Sequence, residues 1–384
     1  MDRGLLSIDS FTKIDMKIGF DAKRAFFNRS GLGNYSRNTL QLLAQYYPDH
    51  AYVLYTPSSK DTIDFSMPNA EVIEPQGWVN QKLKSLWRSL WMAKDLNRDT
   101  IDLFHGLSNQ LPKNIQKFKG KTIVTIHDLI FLRYPELYKK ADRMIDTRKF
   151  RHAAENADRV ISVSEQTKAD LIDFFDIPAH KIEVVYQGCH SIFQHKVSSE
   201  VQKKLQQQYQ LPSDFLLSVG TIEARKNVGI IVKALQKHGI DIPLVVVGQP
   251  TPYLEEVKAL MNADSKVIFL HNVPLQDLPG LYQMAKIFVY PSLFEGFGIP
   301  IVEALFSDTP VVTSKGSCFP ESGGDAAQYI DPKEIDSVAE GIQKVLNDST
   351  LQTNMITNGQ RHRQQFTDQQ VAKNLMQVYL EVMR

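Results

Sequence analysis

Cysteine is scarce in this chain: Cys189 and Cys318 are the only two among 384 residues, far apart and without a CxxC pair. With no Cys/His cluster either, neither a disulfide framework nor a structural zinc site is expected, and a reducing compartment fits. Long apolar runs are missing as well. No stretch of about 18 apolar residues occurs, so no segment is expected to span a membrane. The start of the chain has no basic flank followed by an apolar core, so a signal peptide is not expected and a cytoplasmic location is. Residues 1–15 read as a short extension or an upstream start, ahead of a first strand near Met16. An excess of charge of one sign is also absent. The 44 basic and 43 acidic side chains leave a net charge of +1, which gives no reason to expect a nucleic-acid partner.

What is present is an ordinary globular composition, 43% hydrophobic and 23% charged. At roughly 100–200 residues per domain, the length predicts two domains. Short β-branched runs alternate with longer helical stretches, the pattern of parallel α/β sheets. In the first half the strands are expected near Lys17–Phe20, Tyr52–Tyr55, Leu103–His105, Thr122–Ile126, Arg159–Ser162 and Glu183–Tyr186. Helices are expected at Asn34–Tyr47, Gln81–Leu96 and Ser164–Phe174. The alternation restarts at Phe215, after a polar junction at Gln187–Ser213. The predicted fold is α/β: two Rossmann-like, doubly wound parallel-sheet domains. They are expected over residues 1–190, with 366–384 returning to brace them, and over 191–365. Doubly wound sheets bind ligands at the carboxyl ends of their strands.

Four segments carry chemistry. In Tyr290-Pro-Ser-Leu-Phe-Glu295-Gly296-Phe297-Gly298-Ile-Pro-Ile-Val-Glu303, a strand gives way to a glycine-bearing turn and then a helix. Gly296 and Gly298 let backbone N–H groups approach a ligand, and the helix start beyond them favours an anion or a polar sugar. Glu303, about one turn inside, can accept hydrogen bonds from vicinal hydroxyls. The same pattern also fits a tight turn with a solvated Glu. In Ser218-Val-Gly-Thr-Ile-Glu-Ala-Arg225-Lys226-Asn227, two cations stand just before a helix, where the helix dipole disfavours them. A bound anion explains that placement better than a solvated pair does. The strand Thr122–Ile126 runs into His127-Asp128, a position suited to a donor or an acid/base, though also to a structural histidine. Arg29-Ser-Gly31-Leu-Gly33-Asn34 is a glycine loop that fails as a dinucleotide fingerprint, since Ser36 stands at its third position. A plain turn fits it too.

The Glu295 to Glu303 segment, with seven residues between the two carboxylates, resembles the EX7E motif of retaining GT-B glycosyltransferases of glycosyltransferase family 4. Pro291, Ser292, Phe297 and Pro300 fit the same pattern, and the likeness runs over nearly the whole chain. It is strongest toward mannosyltransferase-like members, since Thr221 stands where other members often carry Arg. The resemblance implies a GT-B fold whose two domains face each other across a cleft. It further implies that Glu303 holds the nucleotide ribose, and that Glu295 with the amides of Gly296, Phe297 and Gly298 faces the transferred sugar. Arg225 and Lys226 would neutralise the diphosphate, His127 would sit beside the donor sugar, and the Gly33 N–H would lie near the donor phosphates or the acceptor. Base contacts are expected near Val273.

The implied reaction moves a hexose from a GDP- or UDP-linked nucleotide sugar, first GDP-mannose, to a hydroxyl of a glycan or lipid-linked acceptor. It proceeds with retention, without a metal or other cofactor, in surface polysaccharide synthesis. A GT-B-type sugar-nucleotide epimerase and a non-catalytic nucleotide-sugar binding module are the alternatives. Finally, Leu83, Leu86, Trp87, Leu90 and Trp91 fall on one helical face with Lys82, Lys84, Arg88 and Lys94 elsewhere. That stripe fits either core packing or contact with the inner membrane face.

Overall fold

The computed structural model describes residues 15–60 and 63–384. Apart from Asp15, the extension expected over residues 1–15 lies outside them. The first sheet contains β1 (Lys17–Asp21), β2 (Ala51–Tyr55), β3 (Ala70–Ile73), β4 (Leu103–Gly106), β5 (Lys121–Ile126), β6 (Arg159–Ser162) and β7 (Ile182–Val184). Their spatial order is β3-β2-β1-β4-β5-β6-β7. The second contains β8 (Leu216–Val219), β9 (Leu244–Val247), β10 (Val267–Leu270), β11 (Ile287–Tyr290), β12 (Val311–Ser314) and β13 (Ala327–Ile330), ordered β10-β9-β8-β11-β12-β13. The second sheet is parallel throughout. The central strands are apolar in nearly every position because both faces are covered: all four residues of Leu244–Val247 are buried. Each sheet reverses its strand order once, between β1 and β4 in the first and between β8 and β11 in the second. This is the doubly wound arrangement with its switch point.

The chain divides into two compact units. One comprises the described residues up to Thr125, Arg148–Val160 and Met376–Arg384; the other comprises Ile126–Thr147 and Ile161–Leu375. The boundary expected at 190 falls inside the second unit. Of the expected returning segment 366–384, only Met376–Arg384 joins the first unit, while Phe366 is buried in the second unit's core. In the first unit the Tyr379 hydroxyl meets His105 Nδ1 at 2.6 Å, and His105 Nε2 meets Thr125 Oγ1 at 2.8 Å. Tyr35 reaches the same threonine at 3.0 Å. All the side chains of this chain except that of Tyr35 belong to fully buried residues.

Several elements differ from expectation. The first long helix spans Gly31–Tyr46, so the Gly31–Gly33 segment is helix rather than loop. The expected single helix Gln81–Leu96 is broken into Trp78–Lys82, Lys84–Leu86, a wide π turn at Trp87–Trp91, and Met92–Arg98. The wide turn shifts the register, so two consecutive side chains are held from within. Trp87 is fully buried with its indole N–H on Asp95 Oδ2 at 2.6 Å, and Arg88 grips Asp21 with Nε at 2.9 and 2.8 Å from its two oxygens. Strand β3 and the helices Lys140–Asn156 and Ser349–His362 were not anticipated.

Candidate active site

In the second sheet, the loops that leave β8 and β11 emerge at the switch point, where such sheets form ligand crevices. After β8, Gly220 takes φ +145° and the Lys226 side chain passes close over it, since a Cβ there would lie 3.5 Å from Lys226 Cε. A short 3₁₀ turn, Ala224–Lys226, then leads to Asn227 in the left-handed region at φ 57°. The Asn227 amide donates to Pro332 O at 2.7 Å, and Leu293 N donates to Arg225 O at 2.9 Å. These bonds tie the β8 loop to its neighbours. After β11, the chain turns through Gly298 (φ +99°) into the helix Ile299–Phe306, with Pro300 in its first turn.

Arg225, Lys226 and Glu295 converge there. Four donors meet on one oxygen of buried Glu295, its Oε1: Lys226 Nζ at 2.6 Å, Arg225 NH1 at 2.7 Å, Ser292 Oγ at 2.8 Å and Tyr290 OH at 3.0 Å. Oε2 has no hydrogen-bond partner among the described residues. Burial alone would raise the Glu295 pKa, but the adjacent Lys226 and Arg225 outweigh it and hold the carboxyl at about 2. Arg225 also donates to Glu223 Oε1 at 2.6 Å and to Phe294 O at 2.7 Å. The anion beside the two cations is therefore a carboxylate of the protein itself, which accounts for their position at the helix start.

Glu303 is half-buried on the helix that follows. It accepts one hydrogen bond, from Tyr282 OH to Oε2 at 2.8 Å, and Oε1 has none among the described residues. Burial pushes its carboxyl up to about 7, while the Tyr282 hydrogen bond and nearby Lys226 act in the opposite direction. Each of the two glutamates is thus anchored through one oxygen, which leaves the other oxygen for a ligand hydroxyl.

The remaining expected residues divide by what the structure shows of their atoms. His127 is buried, with Nδ1 3.4 Å from Gln187 Nε2. It lies against the glycine turn, for a Cβ on Gly296 would come 2.2 Å from the His127 carbonyl oxygen. Gly296 is glycine because two backbones touch there. Asp128 is half-buried beside the same cluster, and its removal from water raises its pKa. Phe297 turns its ring into the core, stacked on Tyr186 at 5.4 Å and edge-on to Phe366 at 5.5 Å, so only its backbone is left for a donor. Val273 is half-buried and packs against the second unit's core, after Asn272 at φ 58°. Gly33 belongs to the first unit. Its N–H is engaged with Ser30 O at 2.9 Å, and a Cβ would sit 1.7 Å from Asn28 O, so close backbone packing explains the glycine.

Sequence reasoning missed most of the supporting contacts. Ser292 belongs to the motif already read, and Tyr290, at its start, could have been found there. Tyr282, in the helix Leu278–Met284, carries no local signal. Nor does the clasp on the glycine turn, where Ser164 Oγ donates to Gly296 O at 2.7 Å. Glu321 accepts from the backbone N–H groups of Glu165 and Gln166 at 2.6 and 3.1 Å, while Ser317 and Cys318 reach Glu295 O at 3.3 and 3.2 Å. Among the described residues, no group of three or more His, Cys, Asp or Glu is arranged to hold a metal ion.

Two doubly wound parallel sheets, with paired cations and a buried carboxylate at the switch point of the second, define the GT-B class of glycosyltransferase. Sucrose-phosphate synthase from Thermosynechococcus elongatus shares the fold at a TM-score of 0.76 and 20% identity, over 96% of this chain and 99% of that one. HepE from Anabaena, solved in complex with UDP and glucose, shares it at 0.72 and 20%, over 95% and 99%. Residues 29–191 match the family described as Glycosyltransferase Family 4, and residues 201–362 match Glycosyl transferases group 1. An O-antigen chain mannosyltransferase B of Escherichia coli is 30% identical over 289 residues, covering 73% of this chain and 74% of the relative. The chain belongs to the family 4, group 1 glycosyltransferases.

Proposed function

We propose that this glycosyltransferase moves a hexose with retention of anomeric configuration, taking mannose from GDP-mannose to a hydroxyl of a glycan or lipid-linked acceptor in surface polysaccharide synthesis. The observation that carries the reading is the convergence of Arg225 and Lys226 on Glu295, next to a Glu303 with one unengaged oxygen. Charge grows on the departing diphosphate as the glycosidic bond breaks, and a guanidinium beside an ammonium stabilises such growth. Glu295, ionised at any physiological pH, keeps the two cations in place beforehand and offers Oε2 to a hydroxyl of the donor sugar. Glu303 Oε1 accepts from the ribose. With the diphosphate neutralised by these two residues, no metal is needed in this reading. The departing phosphate oxygen takes the acceptor's proton on the same face, so no covalent enzyme nucleophile is required. His127, packed against the Gly296 turn, positions the sugar.

The choice of mannose rests on the mannosyltransferase relative; the structural neighbour solved with UDP and glucose keeps a UDP-linked donor as the competing case. Thermal-shift titration with GDP-, UDP-, ADP- and dTDP-sugars, followed by mass analysis of hydrolysis products, tests it. Stabilisation by GDP-mannose above the others supports the reading, and an equal response to all four overturns the donor assignment. NMR of the newly formed anomeric centre tests retention.

A further inference from the structure

The segment Pro75–Lys94 carries Lys82, Lys84, Arg88 and Lys94 and no acidic residue. The apolar stripe expected along it divides in two. Trp87 and Met92 are fully buried, and Leu90 and Trp91 are half-buried. At the other end, Trp78 is 70% exposed, Leu83 43% and Leu86 41%. A tryptophan left this far in solvent costs hydration free energy unless something covers it. The cations that accompany these side chains are of one sign. Lys82 Nζ lies 4.2 Å from the Trp78 ring, and Arg88 is turned inward onto Asp21. Lys82 and Lys94 are exposed, and Lys84 is half-buried. Among the described residues no helix is long and apolar enough to cross a membrane, so any lipid contact made by these helices is superficial.

We infer that Trp78, Leu83 and Leu86, with Lys82 and Lys84, form a docking surface for an anionic lipid bilayer. The occupant follows from the chemistry. An indole and two leucines enter the headgroup boundary, where aromatic rings settle, while lysine ammonium groups reach up to acidic headgroups. A purely apolar protein partner would leave those lysines unmatched. The buried half of the stripe anchors the exposed half to the first unit through the Trp87 and Arg88 contacts with Asp95 and Asp21. The inference does not depend on the donor or on the chemistry at Glu295.

The test is co-sedimentation of the full chain with phosphatidylcholine vesicles, with and without phosphatidylglycerol. Binding is expected only when the anionic lipid is present, and it weakens in high salt. Trp78→Ser with Leu86→Ser, and separately Lys82→Glu with Lys84→Glu, are each expected to lower partitioning about 10-fold or more. Indole emission shifts to the blue on binding, and Trp78→Phe removes most of that shift. Trp78, Lys82 and Leu86 are exposed and Lys84 is half-buried, all in the first unit whereas the glutamate site lies in the second, so thermal melts and nucleotide binding stay unchanged. Three outcomes would overturn the inference: no binding to anionic vesicles, partitioning unaffected by both double variants, or a concentration-dependent dimer that the same variants abolish.

Discussion

Tyr282 holds Glu303 by one oxygen only: its hydroxyl donates to Oε2 at 2.8 Å, and Oε1 has no partner among the described residues. The phenol is itself fully buried, so its orientation is set by the core around Phe193 and Phe288 rather than by solvent. Glu303 therefore presents a fixed acceptor whose charge state depends on pH.

That dependence has a definite sign. The Glu303 carboxyl is raised to about 7 in the folded chain. Ribose hydroxyls bind best to the carboxylate, so nucleoside diphosphate affinity is expected to fall as pH drops through about 7. The Tyr282 hydrogen bond favours the carboxylate, so Tyr282→Phe moves that midpoint upward. Calorimetric titration of GDP or UDP between mildly acid and mildly alkaline pH checks it. An unchanged midpoint in the variant would remove Tyr282 from this role.

Lys226→Met is expected to lower turnover about 10²–10³-fold, the usual effect of losing one preorganised charge at a reacting centre. It also leaves Glu295 with one cation fewer, which destabilises the fold. Combining it with Glu295→Gln should recover part of that loss, giving a coupling of about 0.5–3 kcal/mol in a double-mutant cycle read by chemical denaturation.

The Glu295 pKa of about 2 makes a separate stability statement. A depressed carboxyl contributes stability above its unfolded value, and that contribution is lost as pH falls toward the folded value. Melting temperatures of the wild type should therefore decline more steeply below pH 4.5 than those of Glu295→Gln. Parallel curves would contradict the cation pairing.

Two glycines in similar sequence settings should behave oppositely. Gly296→Ala places a Cβ 2.2 Å from the His127 carbonyl, a backbone atom that cannot swing away. It is expected to cost about 1–3 kcal/mol. Gly31→Ala meets nothing within 4 Å in the first turn of its helix and should be neutral or stabilising by up to about 1 kcal/mol.

Arg88 and Asp21 are a buried pair, with their side chains 11% and 4% exposed. Arg88→Met leaves the Asp21 carboxylate without its cation and is expected to cost about 3–5 kcal/mol. Replacing both, as Arg88→Met with Asp21→Leu, should restore much of the loss. Urea unfolding of the three variants measures it.

The sheets were legible in the sequence because buried parallel strands are continuous apolar runs bounded by turns, as in Leu244–Val247. Strand β3 (Ala70–Ile73) was not, since its Glu71 and Val72 are both exposed and no alternation marks it. The helix Lys140–Asn156 buries only Ala153 and Ala154, too little to generate an apolar period. The break at Trp87–Trp91 was not legible because Arg88 within it is held by a partner 67 residues away, Asp21. At the site, residues drawn together by the strand-end loops of one sheet were readable from local motifs. The partners that orient them were not: Tyr282 stands 21 residues from Glu303, and Ser164 stands 132 from Gly296. The carboxylate that Arg225 and Lys226 share is likewise distant in sequence, since Glu295 stands 69 residues from Lys226.

Tyr379 closes the His105–Thr125 chain in the first unit, although almost the whole second unit precedes it in sequence. During synthesis, every residue of the second unit is polymerised before this tyrosine is added. The His105 contact in the first unit is complete only once translation has passed the helix Asp368–Met383. Loss of the helix that carries Tyr379 would therefore weaken a unit whose strands lie more than 200 residues earlier in the sequence.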